Sequence, residues 1–276
     1  MIRAKRITAA QIQPFQRTIW DYYRKHARTL PWRKSRNPYR ILVSEIMLQQ
    51  TQVERVIEKY QRFISAFPDF SSLSQASLHD ILSIWQGLGY NRRAIALKQI
   101  AHEVITKYDG ILPSSADILI QLPGIGKATA SAIAAFAFNQ PAVFIETNVR
   151  RVFIHFFFQD RDNVKDSELL PLIERALDQD NSRQWYYALM DYGVMLKKEF
   201  GNPNRKSFHY QRQAPFQGSQ RQLRGLVLKV VLNAPKITET DIVKNLKKEP
   251  EKIKDVIEQL QKEGFIRKER NTYSIS

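Results

Sequence analysis

The chain lacks cysteine entirely and contains little glycine for its length. None of its 276 residues is Cys and only 10 are Gly. The first absence excludes disulfides, thiolate catalysis and iron–sulfur clusters held by cysteine. No apolar run approaches the roughly 20 residues that span a bilayer, and the basic residues 1–6 are not followed by the apolar core of a secretory signal. We therefore expect an intracellular protein without a membrane segment.

Acidic residues are few relative to basic ones. Lys and Arg total 43 against 27 Asp and Glu, which gives a formal net charge of +16. A surplus of this size concentrates polyanions near the surface, so nucleic acid is the leading class of partner. The alternative is a solvated basic surface that only aids solubility.

Strand-like alternation is scarce, whereas helical spacing is frequent. Val53, Ile57, Tyr60 and Ile64 form one apolar stripe at three- and four-residue spacing. The predicted helices before residue 213 are 11–28, 38–51, 52–66, 74–85, 92–108, 115–121, 128–138, 148–157, 167–178 and 183–197. They predict a mainly α domain over residues 1–213. Residues 197–218 are polar, basic and poorly periodic, which is typical of a linker or a wrapping loop.

The last part of the chain has a different pattern. Residues 221–232, 239–246 and 249–263 predict three helices, and two short alternating runs around Asn271-Thr272 predict a β-hairpin. This order is typical of a small winged-helix-like domain over residues 214–276. Such a domain suits DNA binding and protein docking about equally.

A glycine motif lies between two apolar segments at Leu122-Pro-Gly-Ile-Gly-Lys127, within residues 115–138. Gly124 and Gly126 can adopt backbone conformations closed to other residues and present bare amides. Those amides, the helix beginning near Lys127 and its ammonium group form an anion site suited to a DNA phosphate. The alternative is an ordinary glycine turn between packed helices.

Glu45 is an acid in an otherwise apolar segment, Ser44-Glu-Ile-Met-Leu-Gln-Gln-Thr51. In the predicted helix Glu45 and Gln49 share a face. A partly buried glutamic acid can protonate a purine ring nitrogen or activate water, and amides can read the edge of an extruded base. The alternative is a glutamate paired with Gln49 on a solvated face.

Two further segments carry candidate residues. Glu146 stands at the start of a predicted helix, where a second anion can stabilise the positive charge that develops as a glycosidic bond breaks. Alternatively it is a helix-terminal glutamate, with Asn148 and Arg150 merely structural. Tyr90 follows Gly87-Leu-Gly89 and can fill the gap left by an extruded base, or can pack at a loop–helix junction.

Several motifs occur together in a consistent order: Leu30-Pro-Trp-Arg33, Pro38-Tyr-Arg40, Ser44-Glu-Ile-Met-Leu-Gln-Gln-Thr-Gln-Val53, Gly87-Leu-Gly-Tyr90, Leu122-Pro-Gly-Ile-Gly126 and Met190-Asp-Tyr-Gly193. From about Leu30 to Met195 the chain resembles the helix-hairpin-helix (HhH-GPD) DNA glycosylases, and within them the MutY-type adenine glycosylases. The resemblance implies a mainly α fold of two helical subdomains.

The resemblance also implies roles for particular residues. Glu45 would be the catalytic acid, assisted by Glu146 and Asn148. The base and its surroundings would be contacted by Trp32, Gln49, Gln50, Val53, Tyr90 and Tyr187, with Gln50 and Tyr90 wedging into the duplex. The DNA backbone would be contacted by Gly124, Gly126, Lys127, Thr129 and Arg150. The hairpin of this family often holds a monovalent cation through backbone carbonyls; no metal bound by side chains and no other cofactor is expected.

The sequence departs from the family pattern at several positions. Glu146 replaces the usual Asp, and Tyr187 stands where adenine-specific members carry Gln or Glu. Ala128 occupies the position of the Schiff-base lysine of bifunctional members, so a monofunctional enzyme is expected. Residues 197–206 replace the 4Fe-4S loop, and the domain predicted over residues 214–276 is unlike the oxidised-guanine-reading domain of MutY proteins.

These observations predict a monofunctional, cluster-free DNA glycosylase of base excision repair. Its expected partner is double-stranded DNA with a mismatched or damaged pair, its expected substrate is adenine opposite guanine or 8-oxoguanine, and a DNA-associated monomer is expected. The alternatives are a thymine or uracil mismatch glycosylase on the same scaffold, or a non-catalytic protein that binds damaged DNA.

Overall fold

A computed structural model describes the chain from residue 9 to residue 276, with side chains from residue 11, so residues 1–6 discussed above lie outside it. The contacts divide the chain into two compact units. The first unit contains the described residues up to Glu45 together with residues 113–212, and the second contains residues 46–112 and 213–276. The predicted domain division after residue 213 stays a prediction.

Helices dominate the described residues, as predicted. In chain order they are α1 (Ala9–His26), α2 (Pro38–Leu48), α3 (Val53–Ala66), α4 (Phe70–Gln75), α5 (Leu78–Trp85), α6 (Arg92–Lys107), α7 (Ala116–Leu119), α8 (Lys127–Phe138), α9 (Thr147–Phe157), α10 (Asp166–Ala176), α11 (Ser182–Glu199), α12 (Gln220–Leu232), α13 (Glu239–Leu246) and α14 (Pro250–Lys262). Short 3-10 turns cover Pro31–Lys34 and Pro203–Lys206. No described helix is long and apolar enough to cross a bilayer.

Aromatic side chains join the helices of the first unit. Phe15 of α1 has its ring centroid 5.2 Å from that of Phe153 in α9 and 5.9 Å from that of Trp185 in α11. The latter two side chains are fully buried. Because edge-to-face aromatic pairs stabilise a core beyond the area they bury, this cluster fixes α1 against α9 and α11.

The glycine motif lies between α7 and α8 in the first unit. Gly124 has a φ of +72°, a conformation that glycine adopts without strain, as the sequence predicted. The same expectation is wrong for Gly126, whose φ of −89° is open to any residue. Gly126 is the N-cap of α8, and a Cβ added there would meet nothing within 4 Å. Its lack of a side chain therefore keeps the start of α8 uncovered.

The basic stretch predicted over 197–218 is partly held to the first unit. Helix α11 continues to Glu199, and the 3-10 turn follows. The Val164 N–H donates to the Lys206 carbonyl at 2.9 Å, and the Phe208 N–H donates to the Val164 carbonyl at 2.9 Å. Asn204 is buried and donates through Nδ2 to the Thr147 carbonyl at the start of α9. The segment that replaces the cluster loop is thus fixed by hydrogen bonds up to residue 208.

In the second unit the predicted helix 74–85 is two helices. Ser77 interrupts it, because its hydroxyl accepts from the Asp80 N–H and caps α5. Helix α4 has its own cap in Asp69, whose carboxylate accepts from the Ser72 N–H at 2.8 Å. Apolar periodicity continues across the break, which explains why the sequence pattern indicated one helix.

The tail, residues 213–276 of the second unit, forms three helices and a small sheet, which confirms the winged-helix-like prediction. Strands β1 (Ile237–Thr238), β2 (Ile266–Glu269) and β3 (Thr272–Ile275) are antiparallel in the order β1-β3-β2. The two-residue strand β1 was too short for its pattern to predict. Helix α12 packs against α5, where His79 Nε2 donates to the Leu232 carbonyl at 3.1 Å.

Helices α9 and α11 approach each other closely at Gly193. A Cβ at this position would lie 2.7 Å from both Asn148 Cβ and the Asn148 carbonyl oxygen, and 2.9 Å from Asn148 Cα. Contacts below 3.0 Å with backbone atoms require one helix to move. The absence of a side chain at residue 193 therefore sets the spacing between the two helices.

We expect Gly193→Ala to lower the melting temperature by roughly 5–10 °C, because overpacking against backbone destabilises a core by about 3 kcal/mol. Gly225→Ala is the matched control, since a Cβ there meets nothing within 4 Å and its backbone lies inside a helix. The control should keep or slightly raise the melting temperature. Equal melting curves for wild type and Gly193→Ala would contradict the close approach.

Candidate active site

Glu45 lies near the middle of α2 and is largely removed from solvent. Ile41, Leu42 and Ser44 around it on the helix are buried. Burial raises the pKa of the Glu45 carboxyl to about 8, the Glu146 carboxylate contributes in the same direction, and Arg33 opposes both. Loss of hydration disfavours the charged form of an acid. At neutral pH the protonated form of Glu45 is therefore favoured.

Glu146 is the N-cap of α9 and is held by its own helix. Its Oε1 accepts from the Asn148 N–H at 2.6 Å and from the Val149 N–H at 2.7 Å, and its Oε2 accepts from Asn148 Nδ2 at 3.2 Å. Burial raises the pKa of Glu146, against the opposing effect of these hydrogen bonds and of Arg151. The Glu146 side chain, which is one methylene longer than that of Asp, thus folds back onto the N-terminus of α9, where a negative charge is favoured.

Asn148 is itself held by Arg151, a residue that the sequence patterns did not single out. Arg151 Nη1 donates to Asn148 Oδ1 at 2.5 Å and to the Gly193 carbonyl at 2.6 Å, and its Nε donates to Asn202 Oδ1 at 3.3 Å. A charged side chain on the apolar face of a predicted helix is the signal that would have found it. Arg151 therefore links the Glu146 cap to α11 and to the turn after it.

Arg33 provides the positive charge that faces Glu45, and it is held by Asp191. Its Nη1 and Nη2 donate to the two carboxylate oxygens of Asp191 at 2.8 and 2.9 Å. The Arg33 side chain is 7% exposed and that of Asp191 is 1% exposed. Arg28 donates to the same carboxylate through Nε at 2.6 Å. Because Asp191 is shared by two arginines, this cluster carries net positive charge, and the charge of Arg33 acts on Glu45.

Tyr187 of α11 is packed on both faces. Its ring stacks on Phe136 with centroids 4.8 Å apart and planes 8° apart, and the Arg33 guanidinium lies 4.4 Å from its centroid. Burial raises the pKa of the Tyr187 hydroxyl, and the charge of Glu45 contributes to the increase. Phe136 and the Arg33 guanidinium therefore occupy positions over the ring that a stacked base would need. A base-reading role for Tyr187 stays a prediction.

The other predicted site residues of the first unit differ in their exposure to solvent. Gly124, Gly126 and Lys127 are exposed, while Thr129 is half-buried. Arg150 donates to both oxygens of Asp166 at 2.8 and 2.7 Å, so its guanidinium is already engaged within the protein. Trp32 is buried beside Arg33. The roles of these residues in binding DNA and a base stay predictions.

The second unit contains the remaining predicted residues. Helix α2 ends at Leu48, so the prediction of a helix up to residue 51 is wrong: Gln49 and Gln50 lie in a turn, and a shared role of Glu45 and Gln49 stays a prediction. The turn forms because Gln50 adopts a left-handed φ of +52°. Val53 is half-buried at the first position of α3, and Tyr90 is 38% exposed with a φ of +46°. Non-glycine residues with positive φ are uncommon and cluster at functional sites.

Arg93 joins the two turns that carry Gln50 and Tyr90, and the sequence patterns did not indicate this role. Its Nη1 donates to the carbonyls of Ile46, Met47 and Gln49 at 2.9, 2.8 and 2.6 Å. Its Nη2 donates to Thr51 Oγ1 and the Gly89 carbonyl, both at 3.0 Å, and its Nε donates to the Tyr90 carbonyl at 3.3 Å. Burial lowers the pKa of Arg93 to about 10. One cation therefore satisfies the carbonyls at both turns and holds their strained backbones.

Within residues 9–276 no group of three or more His, Asp or Glu side chains is placed to hold a metal ion. Glu45 and Glu146 interact electrostatically as an acid pair. The pair combines an acid whose pKa is raised to about 8 with a second carboxyl group that accepts from N–H donors, an arrangement that favours different roles for the two groups.

Comparison with known proteins agrees with this geometry. Residues 43–172 match the family described as HhH-GPD superfamily base excision DNA repair protein. This stretch includes Glu45, the Tyr90 turn, the glycine hairpin and Glu146. The chain carries an HhH-GPD domain. The predicted superfamily is thereby confirmed.

The HhH-GPD domain has relatives among named enzymes. The chain is 40% identical over 184 residues to the adenine DNA glycosylase of Buchnera aphidicola subsp. Baizongia pistaciae, covering 66% of this chain and 52% of the relative. It is 38% identical over 199 residues to the human adenine DNA glycosylase, covering 68% of this chain and 36% of the relative. The chain thus spans at most about half the length of these curated relatives. Among solved structures, a thermostable thymine-DNA glycosylase matches with a TM-score of 0.62 and 26% identity, covering 71% of this chain and 92% of that one.

We expect the stability of the protein to fall as the pH rises from 5 to 8, and Glu45→Gln to weaken this dependence. Between its ordinary pKa of 4.5 and its folded value of about 8, Glu45 keeps a proton in the folded state that the unfolded chain releases. Unfolding therefore becomes more favourable with rising pH, by at most about 1.4 kcal/mol per pH unit, and the effect levels off above about pH 8.

Melting temperatures of both proteins at half-unit pH intervals provide the measurement. Because the other titrating groups are shared, the difference between the two curves reports Glu45 together with its electrostatic coupling to Glu146. The difference should change across pH 5–8 and become constant above it. Parallel curves would show that Glu45 titrates as an ordinary solvated carboxyl.

Proposed function

We propose that this protein is a DNA glycosylase of base excision repair that hydrolyses the N-glycosidic bond of a mispaired adenine. The observation that carries the proposal is the buried carboxyl of Glu45, whose pKa is raised by burial and by Glu146, together with the anchoring of Glu146 at a helix N-terminus. An acid that is neutral at working pH can donate its proton to a leaving base. A protein that only bound DNA would gain nothing from this desolvated acid.

The proposed reaction begins with proton transfer from Glu45 to a ring nitrogen of the adenine. The electron pair of the bond between the base and C1′ then leaves with the neutralised base, and positive charge develops on the sugar. Water adds to C1′ and returns its proton to the Glu45 carboxylate. The products are free adenine and an abasic site, and Glu45 ends in its starting protonation state.

Glu146 acts as the anion in this scheme. Two backbone N–H groups and Asn148 donate to its carboxyl group and favour the ionised form against the effect of burial, so the proposal assigns the negative charge to Glu146 and the proton to Glu45. A fixed negative charge stabilises an oxocarbenium-like sugar without reorganising during the reaction. The cap also fixes the carboxylate of the longer Glu side chain in one place, which offsets the extra methylene relative to Asp.

DNA is the proposed partner, and the +16 charge of the chain and the exposed glycine hairpin support it. The similarity to named adenine DNA glycosylases supports adenine as the base. A mispaired thymine is the second candidate, favoured by the similarity to a thymine-DNA glycosylase and by Tyr187 at the position where adenine-specific members carry Gln or Glu. Ala128 at the Schiff-base position supports a monofunctional enzyme. No cofactor is required for the proposed hydrolysis; a monovalent cation at the hairpin carbonyls stays a prediction.

We expect Glu45→Gln to reduce base release by at least about 10²-fold, because the amide cannot donate the catalytic proton. Binding to the mismatched duplex should persist, since the amide keeps the size of the side chain. Single-turnover base release and fluorescence anisotropy measure the two quantities separately. Glu174→Gln, at an exposed position on α10, is the control and should behave as wild type. Equal turnover by Glu45→Gln and wild type would disprove the mechanism.

The substrate is identified by base release from duplexes with a single A:G, A:8-oxoguanine, T:G or U:G pair. We expect release at A alone, with strand cleavage only after alkali because no lyase lysine is present at residue 128. Release at T or U would retain the mechanism and replace the substrate. Strand cleavage without alkali would contradict the monofunctional assignment, and tight binding without any release would favour a non-catalytic damaged-DNA-binding protein.

A further inference from the structure

The tail contacts the side chain of Tyr90 directly. The Tyr90 hydroxyl accepts hydrogen bonds from Gln213 Nε2 and, at 2.9 Å, from Arg221 Nη1 at the start of α12. Arg221 Nη2 also donates to the Ala214 carbonyl at 2.8 Å. Arg93 donates to the Tyr90 carbonyl and so holds its main chain. Gln213 and Arg221 hold the hydroxyl group at the far end of the Tyr90 side chain.

An ion-pair network fixes the tail in this position. Glu263, at the end of α14, accepts from Arg92 Nη2 at 2.7 Å and from Arg92 Nε at 3.0 Å. It also accepts from Arg224 Nη2 on α12 at 2.6 Å. Glu263 is largely shielded from water, and hydrogen bonds from both arginines hold its pKa below its usual range. One carboxylate therefore joins α12, α14 and the residue that starts α6.

A large basic cavity lies beside these contacts. Its volume is about 1150 Å³, and its lining includes Gln50, Tyr90, Arg221 and the 86–93 turn. Seven Lys or Arg side chains line it against a single carboxylate, that of Glu263. Phe216 adds an aromatic ring that is 61% exposed. Cations with exposed aromatic rings and side-chain amides are the composition that binds the phosphates and bases of a nucleic-acid strand.

We propose that the tail and the 86–93 turn form one DNA-binding groove, in which Gln213 and Arg221 are positioning residues for Tyr90. The inference rests on the proposed function for its ligand, a DNA strand, and adds that the tail takes part in binding it. The tail bonds restrict the rotation of the Tyr90 ring, so that less conformational entropy is lost when it inserts into a duplex. The surplus of cations argues against a protein partner, whose docking surface would be less charged at its centre.

The positioning role is tested with a duplex that carries 2-aminopurine next to an A:G pair. Insertion of Tyr90 unstacks the probe and raises its fluorescence. At saturating protein, we expect Arg221→Ala and Tyr90→Phe each to reduce the fluorescence gain at least twofold, and the double variant to reduce it no further than Tyr90→Phe alone. Such non-additivity is expected when both changes remove one interaction. A full fluorescence gain with Arg221→Ala would overturn the positioning role, as would additive losses.

The groove is tested by the salt dependence of duplex binding. Lys262 and Lys254 are both exposed on α14, but only Lys262 lines the cavity. We expect Lys262→Ala to reduce the slope of log affinity against log salt concentration by about 0.9, the effect of one lost phosphate contact, and Lys254→Ala to leave it unchanged. Equal slopes for both variants would overturn the groove and would instead indicate that the tail docks a protein.

Both measurements can be made on protein that carries Glu45→Gln, because neither depends on base release. A failure of the proposed chemistry would appear as no base release by wild type, with fluorescence gain and salt slopes intact. A failure of the groove would appear as unchanged slopes and fluorescence, with base release intact. The two hypotheses are therefore distinguishable.

Discussion

The removal of water from Glu45 is the constraint on which the candidate site depends. A carboxyl in that position must either stay protonated or be fully paired, because a buried unpaired anion is strongly destabilising. Arg33, the cation that opposes the rise in the pKa of Glu45, is already paired with Asp191 and does not cancel the effect of burial. The same Arg33–Asp191 pair also fixes one face of Tyr187. Packing and electrostatics around the acid are thus set by one ion cluster.

Buried arginines connect the parts of each unit in a chain that has no cysteine. Arg151 joins the Glu146 cap, α11 and Asn202, while Arg93 joins two turns through main-chain carbonyls. A buried guanidinium is tolerated only when its donors are satisfied, so each of these residues fixes several segments at once. The Asn202 and Asn204 contacts hold the segment that replaces the cluster loop. These hydrogen bonds thereby anchor Asn202 and Asn204 to α9.

Much of this fold was predictable, because helical periodicity and capping residues are local properties of the sequence. The helices 239–246 and 92–108 agree with α13 and α6 to within a residue. The errors arose where a local backbone choice overrode the apolar pattern, at the Ser77 cap and at the left-handed Gln50. The role of Arg93 was not predictable, since its partners are carbonyl groups that every residue has. The tail contacts to Tyr90 join residues more than 120 positions apart and leave no periodic signal.

The neutral state of Glu45 has a consequence for encounters with a polyanion. An ionised acid at this position would repel approaching phosphates, whereas a protonated one does not oppose them. The negative potential of a bound strand disfavours ionisation further, because a like charge raises the pKa of a carboxyl. By linkage, association would then be accompanied by proton uptake wherever the free protein is partly ionised. The site would be most completely protonated when its substrate is present, so that docking itself prepares the proton donor.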